Sequence, residues 1–261
     1  MGTDVAVFQY LLGLYVVVML CNVALSGALY WKNRSQLYRA LLALWVSGAF
    51  AFAAQGVLIE TPFLVALGFS AVFPTNLALA HLVALATGVP LSWKRFALAL
   101  FVAVLLSVGI GAAGAGFTLT SLPIAVAVAA PTLFTSLRAI RTRWKGLRIS
   151  ARALVLSAVA FTAHNLDFPF LRDNQPFATF GFTIAFVIVF ALSITGPAAA
   201  LELITEREAR LAHELDTARK IQTKILPQDT KLPGLEEKGV SSRIRSSRST
   251  TSRIGCRSPR R

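Results

Sequence analysis

Charge is what this sequence has least of. Only 15% of its 261 residues are Asp, Glu, Lys or Arg, where a soluble domain carries about 25%. That is too little polar surface for a soluble enzyme of this size. Acidic residues are the scarcer sign, 12 against 26 basic ones, and in so apolar a chain the basic excess belongs to cytoplasmic loops rather than to a nucleic-acid partner. Two cysteines, Cys21 in an apolar run and Cys256 near the end, make neither a disulfide framework nor a thiolate metal site. No metal is expected, because none of the histidines has metal-ligand spacing. Met1–Asp4 lacks a basic segment and a small-residue cleavage site, so the first apolar run is expected to be a permanent span. The last apolar run contains no lysine, which excludes a retinal Schiff base of the usual kind.

What the sequence has in abundance is long apolar stretches. Runs near 5–30, 40–58, 62–88, 96–113, 117–137, 153–171 and 177–201 are each about the length a helix needs to cross a bilayer. Helices are the expected element, since lipid offers the backbone no hydrogen bonds and the runs are too uniformly apolar for barrel strands. Pro74 interrupts the third run, and Gly196-Pro197 is a candidate break in the last.

The connecting segments set the expected orientation. Lys32, Arg34, Arg39, Lys94, Arg95, Arg138, Arg141, Arg143, Lys145, Arg148 and Arg152 all fall on one side, while Asp4, Glu60, Arg172 and Asp173 fall on the other. Eleven basic residues against one place the amino terminus outside and the carboxyl terminus in the cytoplasm. The fold class expected is therefore an all-α integral membrane protein: seven transmembrane helices over 1–201, a cytoplasmic stalk helix over 202–227, a short loop over 228–237 and a disordered basic tail over 238–261.

Polar residues within the spans are few, and ionisable ones there are costly and often functional. Asn22, Gln55, Asn76 and His81 are scattered, and His81 is expected to hydrogen-bond a neighbouring helix. His164, Asn165 and Asp167 cluster just before Pro169. His164 and Asp167 are three apart and share a helix face, where they could take a proton or an unknown external ligand together. The same cluster also reads as a helix end meeting water and headgroups.

At Glu202 the composition changes abruptly. Leu201–Leu226 is charged and free of helix breakers, and Ile204, Leu211, Ala218 and Ile225 recur every seven residues, with Leu215 four after Leu211. This is a short heptad seam, weakened by Glu208 and Gln222 at seam positions. It predicts a homodimer through the stalk; the alternative is an amphipathic helix lying on the bilayer.

The end of that segment carries the one recognisable motif. Ala218, Arg219, Ile221, Gln222, Ile225, Leu226 and Pro227, followed by Leu232-Pro233-Gly234-Leu235, resemble the A-R-x-I-Q-x-x-L-L-P stalk end and L-P-G turn that lead into a phosphatase domain. The family is the bacterial type-2C-like serine/threonine phosphatases of the sporulation and sigma-factor-regulating class. The resemblance covers about twenty residues. It implies a membrane signal sensor in the bacterial inner membrane, with an output domain whose aspartates hold a manganese or magnesium pair. That pair would activate water for attack on phosphoserine. The glycine-aspartate metal segment is not found after Glu237: from Gly239 onward there are seven Ser, seven Arg and no acidic residue. The expectation is a chain without a phosphatase site and without cofactor, its tail either a basic arm against anionic lipid or an out-of-frame product beginning near Glu236.

Two other readings stay open. A small transporter would have paired broken helices and a polar midplane, and the candidate breaks here do not correspond between halves. His213-Glu214-Leu215 resembles the core of a histidine-kinase phosphoacceptor helix, but Asp216-Thr217-Ala218 follows where that family has a basic residue and a proline.

Overall fold

A computed structural model of the chain describes residues 2–57, 62–171 and 175–225. Leu226 and Pro227 of the motif, the loop over 228–237 and the tail over 238–261 lie outside the described residues, as does the side chain of Ile225. The described residues are almost all helical, with short turns between helices and no strand. In chain order the helices are α1 (Gly2–Lys32), α2 (Gln36–Val57), α3 (Pro62–Phe69), α4 (Phe73–Thr87), α5 (Trp93–Ala112), α6 (Phe117–Arg143), α7 (Ile149–Leu171) and α8 (Gln175–Ile225). Helices α3 and α4 are two halves of one span, and among the described residues seven helical stretches are long and apolar enough to cross a membrane.

Local sequence explains where these helices begin and end. Ser35 Oγ accepts the backbone N–H of Tyr38 at 3.2 Å and so caps the start of α2. Gly88 ends α4 at a φ of 70°, with its N–H returned to the Ala84 carbonyl, a left-handed conformation that a side chain would strain. The interruption expected at Pro74 is a 3₁₀ turn over Ser70–Val72, and Pro74 itself occupies the first turn of α4, where its missing N–H costs nothing. The break expected at Gly196-Pro197 does not occur: α8 continues through Pro197. Many of the basic residues read as loop are also helical, because α6 continues to Arg143, past Arg138 and Arg141. Lys32, Arg39, Lys94, Arg95 and Arg152 likewise belong to helix ends.

The chain divides into two compact units, the first over 1–208 and the second over 209–261. In the first, α4 is the central helix, with Asn76, Leu79, Leu82 and Val83 wholly enclosed. It packs against α2, α6 and α7, while α6 also packs against α5, α7 and α3. Helix α5 is peripheral. It buries only Ala103 and Ser107 among its residues and leaves Leu98, Phe101, Leu105 and Leu106 open, an apolar surface that suits lipid and not water.

Between helices in lipid, close packing and polar contacts replace the hydrophobic drive. A Cβ at Gly196 of α8 would lie 3.0 Å from Leu41 Cδ1 of α2, and one at Gly48 of α2 would lie 3.1 Å from Met19 Cε of α1. These two glycines let three helices approach closely. Asn22 of α1 reaches across to α8, its Nδ2 donating to Ser193 Oγ at 2.8 Å as well as to its own Val18 carbonyl at 2.7 Å.

In the second unit, Ala209–Ile225 is described as helix. Ion pairs Arg210–Glu214 at 3.1 Å and Asp216–Lys220 at 2.7 Å are spaced i to i+4 along it, each a modest support of about 0.3–0.5 kcal/mol at an exposed site.

Candidate functional site

The cluster read around Asp167 divides in two. His164 Nδ1 lies 3.2 Å from Asp167 Oδ1, as the three-residue spacing requires, and both side chains are partly shielded. Asn165, one position on, is turned inward. Its Nδ2 donates to the Phe161 carbonyl at 2.9 Å and comes within 3.4 Å of Asn76 Oδ1. The structure thus brings His164 and Asp167 together and assigns Asn165 to a different set of contacts.

Those contacts form an enclosed polar node joining α4, α6 and α7. The Thr132 hydroxyl is shared between the Asn76 backbone carbonyl at 2.8 Å and Asn76 Oδ1 at 3.0 Å. Asn76 and Thr132 have no exposed surface and Asn165 has almost none. A side-chain amide so placed needs partners, and Asn76 Nδ2 also donates to its own Val72 carbonyl at 3.4 Å. The sequence singled out Asn76 and Asn165 separately; Thr132, an ordinary residue for an apolar helix, gave no signal of its own.

Aromatic packing fixes the end of α7 that carries this pair. The Phe168 ring stacks on Phe69 of α3 with centroids 3.9 Å apart and meets Phe117 of α6 edge-on at 5.9 Å. Thr118 Oγ1 donates to the Pro169 carbonyl at 3.3 Å. A carboxylate and an imidazole side by side on α7 and partly open can exchange a proton or hold a hydrogen-bonding or cationic ligand. His81 does not behave as expected. It is exposed on a largely buried helix and makes no hydrogen bond among the described residues.

A second polar site was not anticipated. Arg148, in the turn before α7, pairs with Glu202 and Glu206 of α8, each at 3.2 Å, and Ser150 Oγ donates to Glu202. The Glu202 hydrogen bond and the Glu206 charge raise the pKa of the guanidinium further above its ordinary value. The sequence placed Arg148 among loop charges and Glu202 at the start of the stalk, fifty-four positions apart, and no periodicity could join them.

Of the stalk seam, Ile204 is buried within the first unit. Leu211, Leu215 and Ala218 are exposed in the single chain, as are Arg219, Ile221 and Gln222 of the motif. Leu211 is 58% and Leu215 66% exposed, a large apolar surface for residues of this kind. Among the described residues no group of three or more His, Cys, Asp or Glu could hold a metal ion. No protein-family model, curated protein or solved structure matches this chain.

Proposed function

We propose that this chain is a membrane signal-sensing module whose last span continues as a dimeric stalk toward a serine/threonine phosphatase-type output. The carrying observation is the unbroken helix Gln175–Ile225. It passes from the apolar run ending at Leu201 into a heptad segment with no breaker, although Gly196-Pro197 lies in its path. A transporter has no use for such an extension. A sensor does, because a continuous helix turns a small movement of a span into movement of whatever follows it.

Three further features support the reading. The eleven basic residues on one set of connections put the stalk in the cytoplasm by the positive-inside rule. The His164–Asp167 pair then lies at the outer end of α7, available to an external ligand. The Arg148–Glu202–Glu206 contacts join the other end of α7 to the start of the stalk segment, so that displacement of α7 by a ligand would be felt at Glu202. The resemblance of Ala218, Arg219, Ile221 and Gln222 to the phosphatase lead-in names the kind of output; the membrane would be the bacterial plasma membrane.

Cysteine crosslinking in membranes tests the dimeric stalk. In a background lacking Cys21 and Cys256, Leu211→Cys should crosslink efficiently between chains, since Leu211 occupies the seam. His213→Cys, opposite the seam, should crosslink several-fold less. The heptads are few, so crosslinking should depend on the spans raising the local concentration and should fall when the protein is diluted in detergent. Equal crosslinking at the two positions would exclude a defined seam and leave a single surface helix.

A further inference from the structure

We propose that the cavity between the start of α5 and the end of α6 is a binding site for one anionic phospholipid. It has a volume of about 660 Å³, within the range of small-molecule sites. Phe134, Leu137, Arg138 and Arg141 supply one wall, at the spacing that places them on one face of α6. Arg95 and Phe96 supply the facing wall from the first turn of α5. A smaller cavity of about 260 Å³ beside it shares Arg138 and adds Arg143.

The charge of this site is uncompensated by the chain. No acidic residue occurs anywhere between Glu60 and Asp167. Arg95, Arg138 and Arg141 make no ion pair with any carboxylate among the described residues. Three guanidiniums converging without a counterion attract phosphate, which they bind through paired N–H donors. The first turn of α5, with no side-chain cap at Ser92 and the Arg95 N–H returned to the Ser92 carbonyl at 3.2 Å, adds helix-start N–H groups of the same preference.

A free phosphate would have no use for the rest of the lining. The Phe96 and Phe134 rings lie 6.1 Å apart, and Phe134 is 64% exposed, an apolar surface suited to the glycerol and upper acyl chain of a lipid. The position along the helices agrees. Trp93, 55% exposed, opens α5 where the apolar run begins, the depth at which tryptophan marks the headgroup boundary. Basic pockets between spans at that depth suit anionic headgroups. Which leaflet supplies the lipid rests on the orientation proposed above; binding itself does not, so failure of one is distinguishable from failure of the other.

The test uses the full chain purified in mild detergent, with bound lipid counted by native mass spectrometry. Short-chain phosphatidylglycerol should be retained as a single molecule at least about tenfold more tightly than short-chain phosphatidylcholine, and inorganic phosphate at equal concentration should not displace it. Arg138→Gln with Arg141→Gln should weaken retention by about 30-fold. Arg34→Gln with Lys145→Gln removes the same charge outside the cavity and should leave it within about twofold. Phe134→Ala, at an exposed position that does not threaten folding, should lower retention of phosphatidylglycerol as well. Equal retention of phosphatidylcholine, displacement by inorganic phosphate, or equal loss in the two double variants would each overturn the proposal. The first would show no charge recognition, the second a free-anion site and the third a general surface attraction.

Discussion

Asn76 carries polar contacts from α4 to two other helices. It sits without exposed surface where α4, α6 and α7 meet, and its oxygen atoms receive the Thr132 hydroxyl and face the Asn165 amide. Interhelical hydrogen bonds in lipid are individually modest, about 0.6 kcal/mol on average and up to about 1.7. Thr132→Val should therefore cost about that much, measured by unfolding in mixed micelles of mild and denaturing detergent. Asn76→Leu should cost more, about 1–3 kcal/mol, because it removes the side-chain oxygen shared by Thr132 and Asn165 and leaves them only the residue 76 and Phe161 backbone carbonyls. The double variant should then fall short of the sum. Full additivity would mean that the three residues do not act as one network. Gly196 has the same kind of weight without polarity. Gly196→Val adds bulk 3.0 Å from a Leu41 methyl and should destabilise α8 against α2, whereas Gly109→Val, within α5 where a Cβ meets nothing within 4 Å, should be nearly neutral by the same assay.

At the level of the element, the sequence was clear about spans and unclear about rotation. The seven apolar runs correspond to seven helical spans, because run length and uniform apolarity are properties that sequence carries directly. Helix ends were legible only in part, since the charges of Arg138, Arg141 and Arg143 do not reveal that α6 carries them on a further turn. Pro197 misled for a physical reason. Proline removes one backbone hydrogen bond, and packing such as Gly196 against Leu41 and Leu82 keeps a helix together across that loss. Of the candidate site, the His164–Asp167 pairing was legible from a three-residue spacing. The inward turn of Asn165 depends on which face of α7 meets α4, and apolar residues on every face leave no amphipathic stripe to tell. The Arg148 contacts needed a tertiary structure altogether. They yield a prediction at this scale: spin labels at Ile149→Cys and Thr205→Cys should show one narrow distance distribution. Arg148→Glu should broaden it, and adding Glu202→Arg with Glu206→Arg should narrow it again. An unchanged distribution in Arg148→Glu would show that these ion pairs hold nothing in place.

At the scale of the whole molecule, the basic charge is asymmetric. A chain with uniform loops could cross a bilayer in either direction, but this one concentrates its basic residues at alternate helix ends. In the orientation proposed above, an odd number of spans separates the two termini, and the His164–Asp167 pair would face outward while the Arg148 contacts and the arginine-lined cavity would lie on the cytoplasmic side. Every functional proposal above uses that separation except lipid binding itself. Reporter fusions measure it directly. A reporter that is active only in the cytoplasm should be active when fused after Trp93 or Trp144 and silent when fused near Glu60 or Asn174, and a reporter active only outside should show the reverse. Activity of all four fusions on the same side of the membrane would contradict the seven-span arrangement and with it the sensor reading.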